Sequence, residues 1–590
     1  MGNSIPHSTA IASPSVGRFP SQTAPQVERW AHGTLLLIAS WLLASVYWVN
    51  IEFDDGYTTI ANAQYFLGIS PDYFSQRGPL LAWLLMPAEW LSNHLGLHPL
   101  NVQMHHGLIG VFHFGYCWAV WRILRRQFGA RPPVFVAFVA AVPTVVFFSY
   151  AGFISHDILP GLLALIMLGL ADEYRRNGRW LLLVLLIVLG ALGALVKHTF
   201  GGLWVAVIVA NLLLVAMGSR DRTSFVRLGL LIVAAAMSGV VTWLVYASLL
   251  AATYPDSAFW MRPWLQMTSV IHRFDAEGPL REVFYQWIYL RNLSAYGLLA
   301  MALLLPGLYL SWRRGTDFQK AAATAWVVLY LLMELSPFKE VRYLAFLAPL
   351  TAVIIILPIE RVIALGRRGL ILVSIILLMD FAGVAQEAAR IVDPYYKSSV
   401  THFLRRLPLA SEMRSPLIVN RSLSFVAPDS HAFFADRYHR ITHVFDDQIR
   451  LLYGYGRKDV WRIADLHQLD SAKVPAGSVL IMINDVAVRS RPFPAHNRPA
   501  LPDYFMQVFA VAESVDLQLT GAAYRVTQSA AQPLLVLQAP TGAGDAIIGG
   551  NSFPVADVLR TQGLVQPPAN LRLTAFRIYE LCRIDGCQSF

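Results

Sequence analysis

The sequence predicts a polytopic α-helical membrane protein of about 11 transmembrane helices, followed by an extracytoplasmic α/β domain. Three observations predict it. The 590 residues are 56% hydrophobic and 14% charged, with a mean hydropathy of +0.48, too apolar for a water-soluble chain. Apolar runs long enough to cross a bilayer recur until about residue 386. Beyond about residue 390 hydropathy drops, and short β-rich runs such as Ser478–Met482 and Asn570–Tyr579 alternate with helical stretches and Pro/Gly turns.

Residues 1–30 are rich in Ser, Pro, Thr and Gln and read as a disordered cytoplasmic tail. Position six of MGNSIP is not the Ser or Thr that N-myristoylation wants. The first apolar run follows a long polar stretch with no small-residue cleavage site, so it reads as a retained anchor. Residues 31–388 form the transmembrane domain, with runs near 33–50, 101–121, 134–151, 158–171, 180–196, 200–217, 228–253, 293–312, 321–336, 342–358 and 369–386. Residues 389–590 are long enough for a core of their own.

Charge sorts the loops. Lys and Arg crowd every other one: Arg122–Arg131, Arg175–Arg179, Arg220–Arg227, Arg313–Lys320 and Arg361–Arg368. Short basic loops stay in the cytoplasm, which places 51–100, 152–157, 197–200, 254–292, 337–341 and 387–590 outside. Much of the net charge of +10 therefore reports topology and anionic headgroups, not a nucleic-acid partner. In the first outer stretch, Leu80–Leu91 is too short to span and reads as an interfacial helix with Trp83 and Trp90 at headgroup depth. The stretch 254–292, with Trp260, Trp264 and Trp287, reads as a second interfacial segment. Cys582 and Cys587 (CRIDGC) would then face an oxidising compartment and could pair, whereas Cys117 sits inside a span.

Five short motifs carry chemistry on the outer side. Phe53-Asp54-Asp55-Gly56-Tyr57 is either a solvated helix end or a general base able to take a proton from a hydroxyl. Gln76-Arg77-Gly78-Pro79 either balances local acid or binds phosphate through the planar guanidinium. Ser155-His156-Asp157 offers a helix cap or a second working carboxylate. Val196-Lys197-His198-Thr199 has almost no loop around it, so Lys197 either snorkels or meets an anion. Lys339-Glu340-Val341-Arg342-Tyr343 is a surface ion pair or a further cationic patch. Together these supply a carboxylate to activate a nucleophile and cations to stabilise a departing phosphate.

In order and wording the five motifs resemble the GT-C glycosyltransferases, in particular the protein O-mannosyltransferase-like branch with the aminoarabinose and rhizobial galacturonosyl transferases. The acidic pair Asp54-Asp55 with Tyr57, the Gly78-Pro79-Leu80-Leu81 helix entry, Asp157, the Lys197-His198-Thr199 turn and Arg342-Tyr343-Leu344 match that order over about residues 50–360. Asp-Asp replaces Asp-Glu, and Gln76-Arg77-Gly78-Pro79 replaces His- or Lys-Pro-Pro, which alters the expected phosphate or metal contacts.

The resemblance implies a polyprenyl-phosphate sugar donor, inversion by single displacement, and a hydroxyl acceptor on an envelope glycan such as lipopolysaccharide, a lipid or a protein. It implies a multi-pass enzyme of the bacterial inner membrane with its N-terminus in the cytoplasm. Asp54 would be the base with Asp55 in reserve, and Asp157 would orient the acceptor or support the base. Arg77, Lys197 and Arg342, with Lys339 a weaker fourth, would hold the lipid phosphate. Tyr57, Gln76, His156, His198 and Tyr343 complete the substrate-binding set. Adjacent side chains such as His156 and Asp157 seldom chelate one ion well, so no essential metal is expected. A divalent cation stays an option because GT-C enzymes differ on this point. A flippase of lipid-linked saccharides would instead place charges at mid-span in two related halves, and a scaffold would tolerate loss of Asp54.

Overall fold

The computed structural model describes residues 24–48, 54–70, 73, 78–97, 101–142, 154–197, 200–218, 221–251, 253–275, 288–291, 297–335 and 341–392, with seven strands between 417 and 583. A helix overlies each of the apolar runs. In chain order the helices are α1 (Ala24–Trp48), α2 (Asp54–Phe66), α3 (Pro79–His94), α4 (Gln103–Phe128), α5 (Pro132–Ala141), α6 (Ile158–Asn177) and α7 (Trp180–Val196). They continue as α8 (Gly201–Met217), α9 (Arg222–Leu249), α10 (Arg262–Asp275), α11 (Leu298–Arg314), α12 (Asp317–Leu335), α13 (Ala348–Ile363) and α14 (Arg367–Val392). Ile288–Arg291 is a single turn, and a 3-10 stretch Val341–Leu347 leads into α13.

Among the described residues, four helical stretches are long and apolar enough to cross a bilayer alone: Gln103–Phe128, Arg222–Leu249, Asp317–Leu335 and Tyr343–Ile363. The chain is a multi-pass membrane protein. Helix is the form such a chain must take, because each backbone polar group has to find its partner within the segment. Burial divides the helices by role. On α13 every residue from Leu350 to Ile356 is fully buried, between α5, α11 and α12. Trp326 on α12 donates through its indole nitrogen to Thr351 Oγ1 (3.0 Å), and the Thr351 hydroxyl donates to the Leu347 carbonyl (3.0 Å). On α9, by contrast, Leu230, Val233, Met237 and Leu244 are exposed, as expected of a helix facing lipid.

The five basic loops meet at one end of the bundle. Arg175 bridges Asp172 (2.9 Å) and Asp317 (2.6 Å), and Arg227 donates to the carbonyls of Arg175 and Arg176. Arg131 pairs with Glu360 (2.8 Å), and Phe128 lies 6.1 Å from Phe318 between ring centroids. Helix α6 runs from this end to Asp157 at the other. At 1.5 Å per residue that is roughly 30 Å, about the thickness of the hydrocarbon layer.

The stretch 51–100 holds more than the single interfacial helix expected. Leu80–Leu91 falls within α3, with Trp90 exposed, but a further helix, α2, precedes it. Its sequence DDGYTTIANAQYF is too polar to register as an apolar run, and Ile60, Ala61, Ala63 and Asn62 are nonetheless buried. In the stretch 254–292, Trp260 and Trp264 are exposed beside and on α10, and Trp287 lies outside the described residues.

Beyond Val392 the described elements are strands. β1 (Leu417–Asn420) pairs in parallel with β2 (Val460–Ile463) and β3 (Val479–Met482). β4 (Tyr524–Leu537) pairs antiparallel with β7 (Leu571–Arg583), and β5 (Ala546–Ile548) with β6 (Asn551–Phe553). β3 and β7 coincide with the runs Ser478–Met482 and Asn570–Tyr579. The helices expected among these strands, and the pairing of Cys582 with Cys587, lie outside the described residues and side chains.

One cross-helix cap tests this packing. The Asp380 carboxylate on α14 accepts from the backbone N–H groups of Leu298 (2.6 Å) and Leu299 (3.2 Å), which open α11. Asp380→Ala leaves both donors without that partner and should cost about 1–2 kcal/mol, read as a lower unfolding midpoint in detergent. An unchanged midpoint would show that the cap carries no weight.

Candidate active site

The site opposite the basic loops forms where two helix ends meet. Asp157 occupies the position before α6, but its side chain makes no capping bond to that helix. It is 4% exposed and pairs with the Lys197 ammonium. Lys197 ends α7 in an extended conformation, its backbone N–H donating to the Gly193 carbonyl (3.0 Å). Each charge sits at the helix end whose dipole favours it, the carboxylate at an N-terminus and the ammonium at a C-terminus. The Lys197 nitrogen also lies 3.4 Å from the centre of the Tyr343 ring, a cation–π contact. So Asp157 does not act as a cap here, and Lys197 meets an anion.

Close backbone approaches bring the other motifs in. A Cβ at Gly78 would come within 2.0 Å of the Leu195 carbonyl oxygen and 2.6 Å of that of Val196, so only glycine fits against the turn that carries Lys197. A Cβ at Gly161 would meet the Phe346 carbonyl oxygen at 2.9 Å, which seats the start of α6 against the 3-10 stretch bearing Tyr343. Thr59 on α2 lies 3.4 Å, oxygen to nitrogen, from His156. Phe200 packs edge-on to Phe346, with ring centroids 6.1 Å apart.

Beside the ion pair opens a pocket of about 560 Å³, counting its mouth. Asp157, Lys197 and Tyr343 supply its polar wall, and Pro160, Phe200, Leu332, Met333 and Phe346 are among its apolar lining. Chemically it offers one half-buried cation next to an oily cleft.

Of the residues singled out from sequence, Asp157, His156, Lys197 and Tyr343 are thus gathered at one place. Tyr57 is fully buried on α2. The backbone of Asp54 and Asp55 opens α2, and that of Arg342 lies in the 3-10 stretch; their side chains lie outside the described ones. Gln76, Arg77, His198 and Lys339 lie outside the described residues altogether. Among the described residues, no three His, Cys, Asp or Glu side chains cluster as a metal site. Sequence reasoning missed Thr59, Gly161 and Phe200, all within a few residues of a motif.

Residues 76–243 match the family model described as dolichyl-phosphate-mannose-protein mannosyltransferase. The matched stretch is under a third of the chain and contains Arg77, Gly78, Asp157 and Lys197. The match supports a glycosyltransferase of the GT-C clan. It favours the transferase reading over the flippase and scaffold readings. Apo ArnT from Cupriavidus metallidurans is similar at 13% identity and a TM-score of 0.48, over 77% of this chain and 94% of that one. The Archaeoglobus fulgidus oligosaccharyltransferase AglB, solved with an inhibitory peptide and a dolichol-phosphate, is similar at 13% identity and a TM-score of 0.43, over 75% and 65%. Both scores fall below 0.5, so the assignment rests on the family match. No curated protein sequence matches.

The ion pair makes a separable prediction. Lys197→Met removes the ammonium beside a buried carboxylate and should destabilise the helical bundle by about 3–5 kcal/mol. Adding Asp157→Leu removes that carboxylate as well and should recover part of that loss. Additive losses in the double variant, measured as unfolding midpoints in detergent, would show that the two side chains do not interact.

Proposed function

We propose that this GT-C enzyme moves a sugar from a polyprenyl phosphate to a hydroxyl of an envelope glycan, lipid or protein, at the outer face of the inner membrane. The observation that carries this reading is the Lys197–Asp157 pair over Tyr343, beside an apolar pocket and at the opposite end from the basic loops. Polyprenyl phosphate has the matching pattern: one anionic head on a long apolar tail. Basic short loops stay in the cytoplasm, so the pocket end would face outward, with the N-terminus inside.

In the reaction, the acceptor oxygen bonds to the anomeric carbon as the bond from that carbon to the phosphate oxygen breaks. The hydroxyl proton passes to a carboxylate, and the lipid phosphate leaves with the bonding electrons. Asp54 supplies the base, with Asp55 the alternative. Position 55 lies one helical turn before Thr59, on the face that meets His156. Lys197 holds the leaving phosphate, and Asp157 fixes Lys197 in place. Arg77 precedes Gly78 and Arg342 precedes Tyr343, so each is one residue from a position that touches Lys197 or its turn. Lys339 is the more distant cation. The strand-bearing segment 389–590 is a separate outer domain in this proposal.

The test compares lipid extracts by mass spectrometry from cells carrying the protein, lacking it, or carrying Asp54→Asn or Asp55→Asn. The base variant should lower turnover by about 10²–10⁴-fold, and one lipid-linked monosaccharide should accumulate in it and in the deletion while an envelope glycan loses that sugar. Wild-type lipids in both variants would remove the acidic pair from the mechanism.

A further inference from the structure

A second cleft lies at the basic end, between α4 and α6, on the far side of the bundle from Asp157. Its residues on α6 follow the helical repeat: Ile166, then Gly169 and Leu170, then Glu173, then Arg176 and Asn177. Apart from the fully buried Leu165 beside Ile166, these residues are half-buried or exposed, so one stripe of α6 is left open for more than two turns. Ile123, Arg126 and Gln127 face it from α4. The lining is graded along its length. Toward the middle of the bundle it is apolar and widened by the missing side chain of Gly169, and at the helix ends it carries two guanidinium groups and a carboxylate.

The charges there are not consumed by the fold. Arg176 is bound to Asp172 on one side yet stays more than half exposed. Neither Arg126 nor Glu173 has a hydrogen-bond or ionic partner among the described residues. An apolar groove ending in unspent charges of both signs, at the depth where α4 and α6 leave the hydrocarbon, matches the shape and polarity of one phospholipid. Two guanidinium groups suit its phosphate, basic pockets between helices at this face bind lipid heads, and Glu173 demands a cation beside that phosphate.

We propose that this cleft binds a membrane phospholipid whose headgroup carries both a phosphate and a primary ammonium, with Arg126 and Arg176 on the phosphate and Glu173 on the ammonium. One acyl chain lies along Ile166 and Gly169. The site is remote from the sugar-transfer pocket, so its test reads binding and not activity, and its failure would leave the proposed reaction untouched.

The full chain, purified in detergent and stripped of lipid, is titrated with dioleoyl phosphatidylethanolamine, phosphatidylcholine, phosphatidylglycerol or inorganic phosphate, following retained lipid by native mass spectrometry. Phosphatidylethanolamine should bind about tenfold more tightly than the other two lipids, the worth of one hydrogen bond to a charged group. Free phosphate should not compete at matched concentration. Glu173→Gln should abolish the preference for the ethanolamine head while lipid still binds, and Arg126→Ala should weaken both phosphatidylethanolamine and phosphatidylglycerol. Equal affinity for all three lipids, or variants indistinguishable from wild type, would overturn the proposal. Binding of inorganic phosphate as tight as that of lipid would overturn it in favour of a free anion site.

Discussion

A lysine and an aspartate inside an apolar bundle are each costly alone, and the arrangement of this site follows from satisfying both at once. Desolvation of either charge costs several kcal/mol, and pairing repays it only where the geometry is good. Here the geometry is supplied by two helix ends pointed at each other, with Asp157 where α6 begins and Lys197 where α7 stops. The ring of Tyr343 adds a face of negative potential to the ammonium. Keeping that contact requires the 3-10 stretch to lie against α6, hence the bare Gly161, and the α3 entry to lie against the α7 turn, hence the bare Gly78. Small residues are how membrane helices come this close, since no hydrophobic force drives them together in lipid.

The arginines at the opposite end do more than mark one face of the bundle. They would satisfy the positive-inside tendency as free surface charges, yet several are spent on ties between loops distant in sequence: Arg175 to Asp317, Arg227 to the end of α6, Arg131 to Glu360. Asp172, 3% exposed, is the buried centre of one such tie. Helix α6 is consequently pinned at both ends, by guanidinium groups at one and by Lys197 at the other. Such a helix is a suitable ruler between the two membrane faces.

Much of this was legible in the sequence because it depends on composition and period. Apolar runs located the helices, and loop charge sorted the two ends before any contact was known. The motif residues Asp157, Lys197 and Tyr343 could be nominated, but not their partnership, because nothing in a one-dimensional pattern couples positions 157, 197 and 343. The reading of Asp157 as a cap was reasonable for an aspartate just before a helix, and it failed because a buried ammonium is a stronger partner than a backbone N–H. Helix α2 escaped notice because Tyr57 and Ile60 share its buried residues with Thr58, Thr59, Asn62 and two alanines, which hydropathy undervalues. Gly78 and Gly161 look like ordinary glycines until the carbonyls facing them are seen.

Charge accounting explains why such a pocket would need more than Lys197. The Lys197 charge already faces that of Asp157, so a phosphate brought beside the pair would add net negative charge to a cleft walled by Phe200, Met333 and Phe346. In that surrounding an unpaired anion is expensive. Further cations at the same mouth would lower that cost. The chain supplies two at suitable positions, Arg77 next to Gly78 and Arg342 next to Tyr343, each about 3.8 Å along the backbone from a residue already in place. Under the proposed function the ion pair and the neighbouring arginines would divide the work: Asp157 holds Lys197, and the arginines would bring the positive charge that an incoming phosphate must find.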